Sequence, residues 1–385
     1  MSKQNIPFNK PAYTGNEDQY VLDSMRSNHI SGNGAYTKKV EAWFQEELQC
    51  KKALLVSSCT HALEMAAIAL EIQSGDEIIM PSFTFVSSAN AFVLRGAKIV
   101  FVDIHKDTLN IDETKIEAAI TDKTKVILCV HYAGVACEMD TIMSIAKKHN
   151  LFVVEDAAQG MLASYKTKAL GTIGHFGAFS FHETKNFTSA GEGGLLIIND
   201  ESFIEKVQII REKGTNRTLF LEGKVDKYSW VDLGSSFLLS DMSAAYLWGQ
   251  VQKKEIINDE RLASWQEYYT KLEKLETLGF IQRASKHKNT QHNGHIFYIK
   301  VKDLDERSTL MNYLHAHNIH AVFHYVPLHS SQAGKKFSRF SGVDVFTTQE
   351  SARLLRLPLY YGLKSCEIDY IADTLYDFYK TESQK

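Results

Sequence analysis

The apolar positions of this chain fall into short, almost unbroken runs, and helix-compatible stretches separate them. Residues 53–58 (ALLVSS), 77–82 (EIIMPS), 98–104 (KIVFVDI), 125–134 (KVILCVHYAG) and 151–159 (LFVVEDAAQ) read as strands covered on both faces. Between them, 59–71, 85–96, 111–120 and 139–150 have helical spacing or strong helix formers. A helix at 37–48 sets Val40, Trp43, Phe44 and Leu48 on one side. The alternation predicts an α/β fold, a mainly parallel sheet between two helix layers. Ligands of such sheets gather at the carboxyl ends of the strands. Ser58, Ser82, His131, Asp156 and His182 all fall there.

Outside these units the pattern changes. Residues 5–34 carry scattered polar positions and predict a segment draped over the surface. Residues 176–181 form a further strand and 203–213 a helix, and the polar stretch 214–236 is too long for a simple connector, which predicts a functional loop or hairpin. Residues 240–275 read as one long amphipathic helix. Beyond it come strands at 295–301 and 321–325 and helices at 307–318 and 366–379. We expect a large α/β domain over 1–250 and a smaller α+β domain over 251–385, with no internal repeat.

Composition narrows the function classes. The chain has 385 residues, 44% hydrophobic and 23% charged, ordinary for a globular protein with a large core. A net charge of −3 argues against a nucleic-acid surface, which needs concentrated positive charge. No apolar run approaches the ~20 residues that span a bilayer. The opening residues lack the apolar centre of a signal peptide. The five cysteines, Cys50, Cys59, Cys129, Cys137 and Cys366, are scattered without a CxxC pair, and predict reduced thiols, not a disulfide framework or a zinc site. The expectation is a cytoplasmic protein with neither nucleic acid nor membrane as partner.

The chemistry-bearing stretch is 179–194, FSFHETKNFTSAGEGG. Lys185 follows a strand and precedes Gly191, Gly193 and Gly194, where backbone can approach a ligand closely. A solvated surface lysine is the commonest fate of that residue type. A desolvated one, or one held near other cations, keeps a free amine that attacks carbonyls, and we read Lys185 as carrying a cofactor. Asp156 closes a strand. It suits a helix cap equally well, or an ion pair with the ring nitrogen of pyridoxal phosphate (PLP). Residues 57–61 (SSCTH) make an N-cap and, with free N–H groups and hydroxyls, an anion seat. His315, His317, His320, His324 and His329 are dense, but their spacing fits no single helix face and no HExxH occurs, so no metal site is expected. His324 and His329 flank the turn YVPL and are the better substrate-pocket candidates. The glycines 171, 174 and 177 precede a strand where a dinucleotide fingerprint would follow one. No GxSxG or Walker motif is present.

The set SSCTHALEMA (57–66), PSFTFVSSANA (81–91), VVEDAAQ (153–159), FSFHETKN (179–186), GEGG (191–194) and YVPLH (325–329) resembles the DegT/DnrJ/EryC1/StrS sugar aminotransferases. The resemblance spans nearly the whole chain and implies the PLP-dependent aspartate aminotransferase fold. It places Lys185 where the family attaches PLP, Asp156 on the pyridine nitrogen, Gln159 on the ring hydroxyl and Phe85 stacked on the ring. It places Cys59, Thr60 and His61 at the helix start that holds the phosphate, with the Ser180 hydroxyl beside it. Many relatives have glycine where this chain has Cys59. His182 follows the pattern of enzymes that aminate C4 of a sugar. The implied reaction moves the amino group of L-glutamate to the C4 keto group of dTDP-4-keto-6-deoxy-D-glucose. The product is a dTDP-4-amino-4,6-dideoxyhexose of galacto configuration, for enterobacterial common antigen, O-antigen or other lipopolysaccharide. A homodimer is implied, although Leu238 stands where many relatives carry the Asn or Arg that reaches the neighbouring subunit's phosphate. Amination of a 3-keto sugar, a PLP-dependent sugar dehydratase and a non-catalytic regulator on the same scaffold are the alternatives. The dehydratases replace the lysine with histidine.

Overall fold

The computed structural model describes residues 5–382. Strands β1 (Lys52–Val56), β2 (Glu77–Pro81), β3 (Lys98–Val102), β4 (Thr124–Val130) and β5 (Phe152–Asp156) form where the apolar runs predict them. A two-residue hairpin follows, β6 (Ser164–Tyr165) and β7 (Lys168–Ala169), then β8 (Phe176–Ser180) and β9 (Gly194–Ile198). The later strands are β10 (Gln282–Arg283), β11 (Thr290–Gln291), β12 (Phe297–Lys300), β13 (Val322–Phe323), β14 (Ser338–Phe340) and β15 (Leu354–Leu357). The main sheet has eight strands in the order β1-β9-β8-β5-β4-β2-β3-β14. Its neighbours run parallel except around β9, which is antiparallel to both β1 and β8. No element is predicted over 194–198, nor over 338–340, so the reversed β9 and the edge strand β14, which pairs parallel with β3, are the sheet's two departures from expectation.

The sheet is buried on both faces because its side chains alternate between two apolar clusters. Leu55, Ile79, Val100, Ile127, Val153 and Leu195 join one. Leu54, Ile78, Ile99, Val126, Val154 and Leu196 join the other. Helices α2 (Ala35–Leu48), α3 (Cys59–Ala69) and α4 (Val86–Val93) supply much of the covering, and α1 (Glu17–Arg26) packs outside them on the helix Asp241–Val251.

Helix α1 corrects the expectation of a draped segment. Glu17 accepts the Thr14 N–H (3.1 Å) and hydroxyl (3.0 Å) and fixes the start. The helix then packs on Asp241–Val251 at Gly249, where a side chain would press on the Glu17 backbone. The single helix expected over 240–275 is three: Asp241–Val251, Lys254–Lys271 and Glu273–Thr277. The break at Gln252 and Lys253 turns the chain from the large-sheet core, which takes Val251 and Ile257, toward a second core that takes Trp265, Tyr268 and Leu272. The helix expected over 111–120 splits into a 3-10 turn, Glu113–Lys115, capped by Asp112, and a short helix, Ile116–Ala119. Residues 214–236 form an excursion closed by antiparallel bridges, Glu212 to Ser236 and Thr215 to Trp230, around the short helix Arg217–Leu221.

The second core surrounds an antiparallel sheet, β10-β12-β15-β13, with the helices Leu304–Ala316 and Ser365–Glu382 against it. Ile6, Phe83, Leu109 and Tyr132 reach into it from the earlier part of the chain. Among the described residues no helix is long and apolar enough to cross a membrane.

Candidate active site

Between the carboxyl ends of the main strands and the small sheet lies a cavity of ≈ 720 Å³. The hairpin β8–β9 builds its floor. After β8 the chain loops through Lys185 and returns, held by Phe181 N–H on Gly193 O (2.8 Å), Glu183 N–H on Gly191 O (2.9 Å) and Ser189 N–H on Phe181 O (2.9 Å). Thr188 fastens the loop further: its hydroxyl donates to Phe181 O (3.0 Å) and its N–H to Gln250 Oε1 (2.7 Å). Gly191 needs its glycine, with φ at +109°. Gly194 needs its own for space, since a Cβ there would overlap the backbone of Ser58 and Cys59 at the start of α3.

Lys185 reaches the cavity, and dehydration by the surrounding walls pushes its ammonium below the usual 10.5. Arg356 pushes the same way, while Cys59 and Asp156 oppose both. Beside it, the Asp156 carboxylate accepts the Ser88 hydroxyl (2.6 Å) and the Ala158 N–H (3.1 Å). Ser88 is itself 2.8 Å from the Thr84 hydroxyl. The carboxylate is therefore oriented, and among the described residues no cation is bonded to it. Gln159 is fixed by two bonds: Oε1 accepts Ala133 N–H (2.6 Å) and Nε2 donates to the Tyr325 hydroxyl (3.2 Å).

At the start of α3, Ser58 Oγ accepts His61 N–H (3.1 Å), and Ser58 O accepts Ala62 N–H. Among the described residues no acceptor takes the N–H of Cys59 or Thr60. Thr60, Ser87 and Ser180 bring hydroxyls to the same corner, and burial pushes the Cys59 thiol up, so it stays protonated. Phe85 is 56% exposed although it lines the cavity, its ring 6.3 Å from that of Tyr325.

The cavity thus gathers Cys59, Thr60, Phe85, Asp156, Gln159, Ser180, His182, Lys185 and His324. Two expected site residues lie elsewhere. The His61 ring bonds Ser57 Oγ (2.6 Å) and packs edge-on against Phe237, and its backbone N–H is taken by Ser58 Oγ, so the first turn of α3 offers the cavity the N–H groups of Cys59 and Thr60 only. His329 sits between Ser82 Oγ (2.7 Å) and Asp344 (3.2 Å), a brace for the turn and not a cavity residue. The other histidines scatter, His315 to Ala321 O, His317 to Tyr313 O and His320 to Asn5. Leu238 lies against Gly32.

Sequence reasoning missed His295, Tyr325 and Arg356, which form the opposite wall. His295 Nδ1 is 2.7 Å from Asn186 Oδ1, which ties that wall to the lysine loop. Burial and the charges of Lys185 and Arg356 hold the His295 and His324 imidazoles well below 6.5, hence neutral. Tyr132 puts its hydroxyl 3.1 Å from His324 Nδ1. The signal for Arg356 was a lone cation in the apolar run LLRL. His131 lines the cavity too. Its Nδ1 accepts Cys137 N–H (3.2 Å), so Nε2 carries the proton donated to Glu155 (2.9 Å), and Glu155 also accepts the N–H groups of Gly171, Ile173 and Gly174.

This chain is 30% identical to the spore coat polysaccharide biosynthesis protein SpsC of Bacillus subtilis, over 97% of each chain. It is 30% identical to the GDP-perosamine synthase of Escherichia coli O157:H7, covering 97% of this chain and 98% of that one. It superposes with a TM-score of 0.86 on Spr1654 of Streptococcus pneumoniae in its PLP-form, at 29% identity, over 96% of this chain and 97% of that one. Residues 11–376 match a single family across the sheet, the lysine loop and the opposite wall. The chain belongs to the DegT/DnrJ/EryC1/StrS aminotransferase family.

Proposed function

We propose that the enzyme binds PLP on Lys185 and moves the amino group of L-glutamate to the C4 keto group of dTDP-4-keto-6-deoxy-D-glucose. The product is the galacto dTDP-4-amino-4,6-dideoxyhexose, for cell-surface polysaccharide. The observation that carries the reading is the donor set of the cavity. The unpaired N–H groups of Cys59 and Thr60, with three hydroxyls, suit a phosphate. The open face of Phe85 suits an aromatic ring, and the oriented, cation-free Asp156 suits a protonated ring nitrogen. PLP, when bound, supplies an electron sink that makes the proton on the amine-bearing carbon removable.

The chain's own residues do the rest. Lys185, its ammonium made easier to deprotonate by desolvation, holds the cofactor and then carries the proton away from the donor's α-carbon. Asp156 holds the ring nitrogen in its charged state, and Gln159 presents its amide at the ring hydroxyl. His182 stands at the mouth, its Nδ1 taking Thr184 N–H (3.2 Å), and supports a C4 acceptor by its match to the family pattern. In this reading residues 1–250 hold the cofactor and 251–385 complete the substrate side. A homodimer belongs to it as well, with the exposed Phe220, Leu221, Trp230 and Leu233 of the excursion available to a second copy.

The test is incubation with L-glutamate and a panel of dTDP-, UDP- and GDP-linked 3-keto and 4-keto sugars, with the product solved by NMR. One relative is named for a GDP-linked sugar, so the nucleotide arm matters. We expect an axial amine at C4 of the thymidine-linked sugar. An amine at C3, or loss of oxygen without amination, would replace this reading with one of its alternatives.

A further inference from the structure

Three buried polar side chains, Asn186, Asn293 and His295, tie the lysine loop to the wall opposite it. Asn186 Nδ2 donates to Asn293 O (3.0 Å). A carbonyl can only accept, so the Asn186 amide is fixed in orientation and its Oδ1 is the atom that meets His295 Nδ1 (2.7 Å). That oxygen also only accepts, so Nδ1 carries the proton of the bond. The His295 backbone is held as firmly: its N–H donates to Asn293 Oδ1 (3.1 Å), and its carbonyl accepts Arg261 Nη2 (2.8 Å). Asn293 is anchored in turn on Gln159 O (2.9 Å) and Met161 O (2.7 Å). Burial, with Lys185, Arg261 and Arg356 near it, keeps the imidazole neutral. Nε2 is therefore a bare lone pair. His295 lines the cavity, and among the described residues nothing donates to Nε2.

We infer that His295 Nε2 accepts the C3 hydroxyl of the acceptor sugar. This rests on the C4 amination proposed above and adds a specificity contact to it. Whatever meets a bare lone pair must bring a hydrogen. The carboxylates of the amino donor have none to give, nor has the diphosphate of the nucleotide. The donor's amine has hydrogens but is committed to the cofactor. The hydroxyls of the sugar remain. Lys185 lies near enough to depress His295, so the hydroxyl that His295 reaches sits close to the carbon that reacts. In a 4-keto-6-deoxy sugar two carbons flank that carbon. C5 carries a methyl group and the ring oxygen, and C3 alone carries a hydroxyl. The bond orients the ring about its C4 carbonyl and adds no charge to the site. A site that takes a hydroxyl this way rejects the analogue lacking it, because its own acceptor is then left unpaired.

The experiment uses the holoenzyme with its cofactor in the amine form, and the variant His295→Asn. The shorter amide reproduces Nδ1 and keeps the tie to Asn186 but offers nothing at Nε2. Binding of dTDP-6-deoxy-D-glucose and of its 3-deoxy analogue, neither of which has a keto group to react, is read by calorimetry. The unaltered enzyme should prefer the sugar with the C3 hydroxyl by about 5- to 50-fold. His295→Asn should reduce that preference to within about twofold, with kcat/KM for glutamate in its half-reaction also within about twofold of the unaltered enzyme. His295→Gln, whose amide oxygen reaches the Nε2 position, should recover part of the preference. Equal binding of the two sugars by the unaltered enzyme overturns the inference with no variant needed. A preference that survives in His295→Asn overturns it too. So does a loss that falls equally on the glutamate half-reaction, which makes His295 a brace for the lysine loop alone. An unaltered enzyme that takes the amine from glutamate but delivers it to no 4-keto sugar is a separate result, and it removes the proposed acceptor together with this contact.

Discussion

The two walls of the cavity are built in opposite ways. On the main-sheet side Ser58 to Thr60, Asp156 and Lys185 come from strand ends and the loops that leave them, held by local bonds and, for Asp156, also by the Ser88 hydroxyl of α4. On the small-sheet side His295, His324, Tyr325 and Arg356 come from three separate segments brought together by tertiary packing. Among the described residues, the first wall presents N–H groups without acceptors and an oriented carboxylate, and the second presents neutral rings and Arg356, which has no carboxylate partner. In the reading proposed above the first holds the chemistry and the second reads the substrate. Substitutions on the two sides should then fail differently.

The largest separation comes from Lys185→Ala. We expect kcat to fall by about 10³-fold or more, because both attachment and proton transfer are lost. The amine form of the cofactor should still bind, as seen by absorbance after gel filtration. Retained turnover would erase the distinction between the walls. Asp156→Ala comes next, with kcat and cofactor affinity both reduced by about 10²-fold, since a buried charge partner disappears. Phe85→Ala removes a stacking face worth about 0.5–1.5 kcal/mol, so cofactor dissociation measured by fluorescence should be about 2- to 10-fold easier. On the other wall, His324→Phe should change the nucleotide-sugar KM while leaving the cofactor spectrum untouched.

Acid sharpens the same contrast with a smaller effect. The folded protein holds His295 and His324 below 6.5, so the unfolded chain binds more protons once pH falls through that value. Stability is unaffected by these groups above pH 6.5 and declines below it. A plot of Tm against pH should bend downward there, and His295→Asn should flatten the bend. A bend of equal size in that variant would show that the acid sensitivity lies elsewhere.

The legibility of the site followed the same divide. Runs such as KVILCV and LFVVED announce buried parallel strands, and their ends announce Asp156 and the α3 start, because period and position are local properties. Lys185 could be singled out for the same reason. Arg356 could not, since its meaning lies in the partner it lacks, and that is visible only after β15 has been set beside β12 and β13. His329 was misassigned because a histidine beside a turn looks the same whether it faces a cavity or Ser82. Helix α1 was missed since its partner, Gly249, lies more than two hundred residues away.

The reversed strand β9 has a consequence for tolerance to change. One hairpin carries the lysine loop at its bend and lays Gly194 against the first residues of α3. The distance from the Lys185 loop to the start of α3 is therefore set mainly within a single short span of chain, with the Asn186–His295 bond as its tie to the small-sheet wall. Insertions and substitutions across β12, β13 and β15 can accumulate without disturbing that distance. A family that diversifies its sugars would be expected to do so on that side, leaving the hairpin as its invariant gauge.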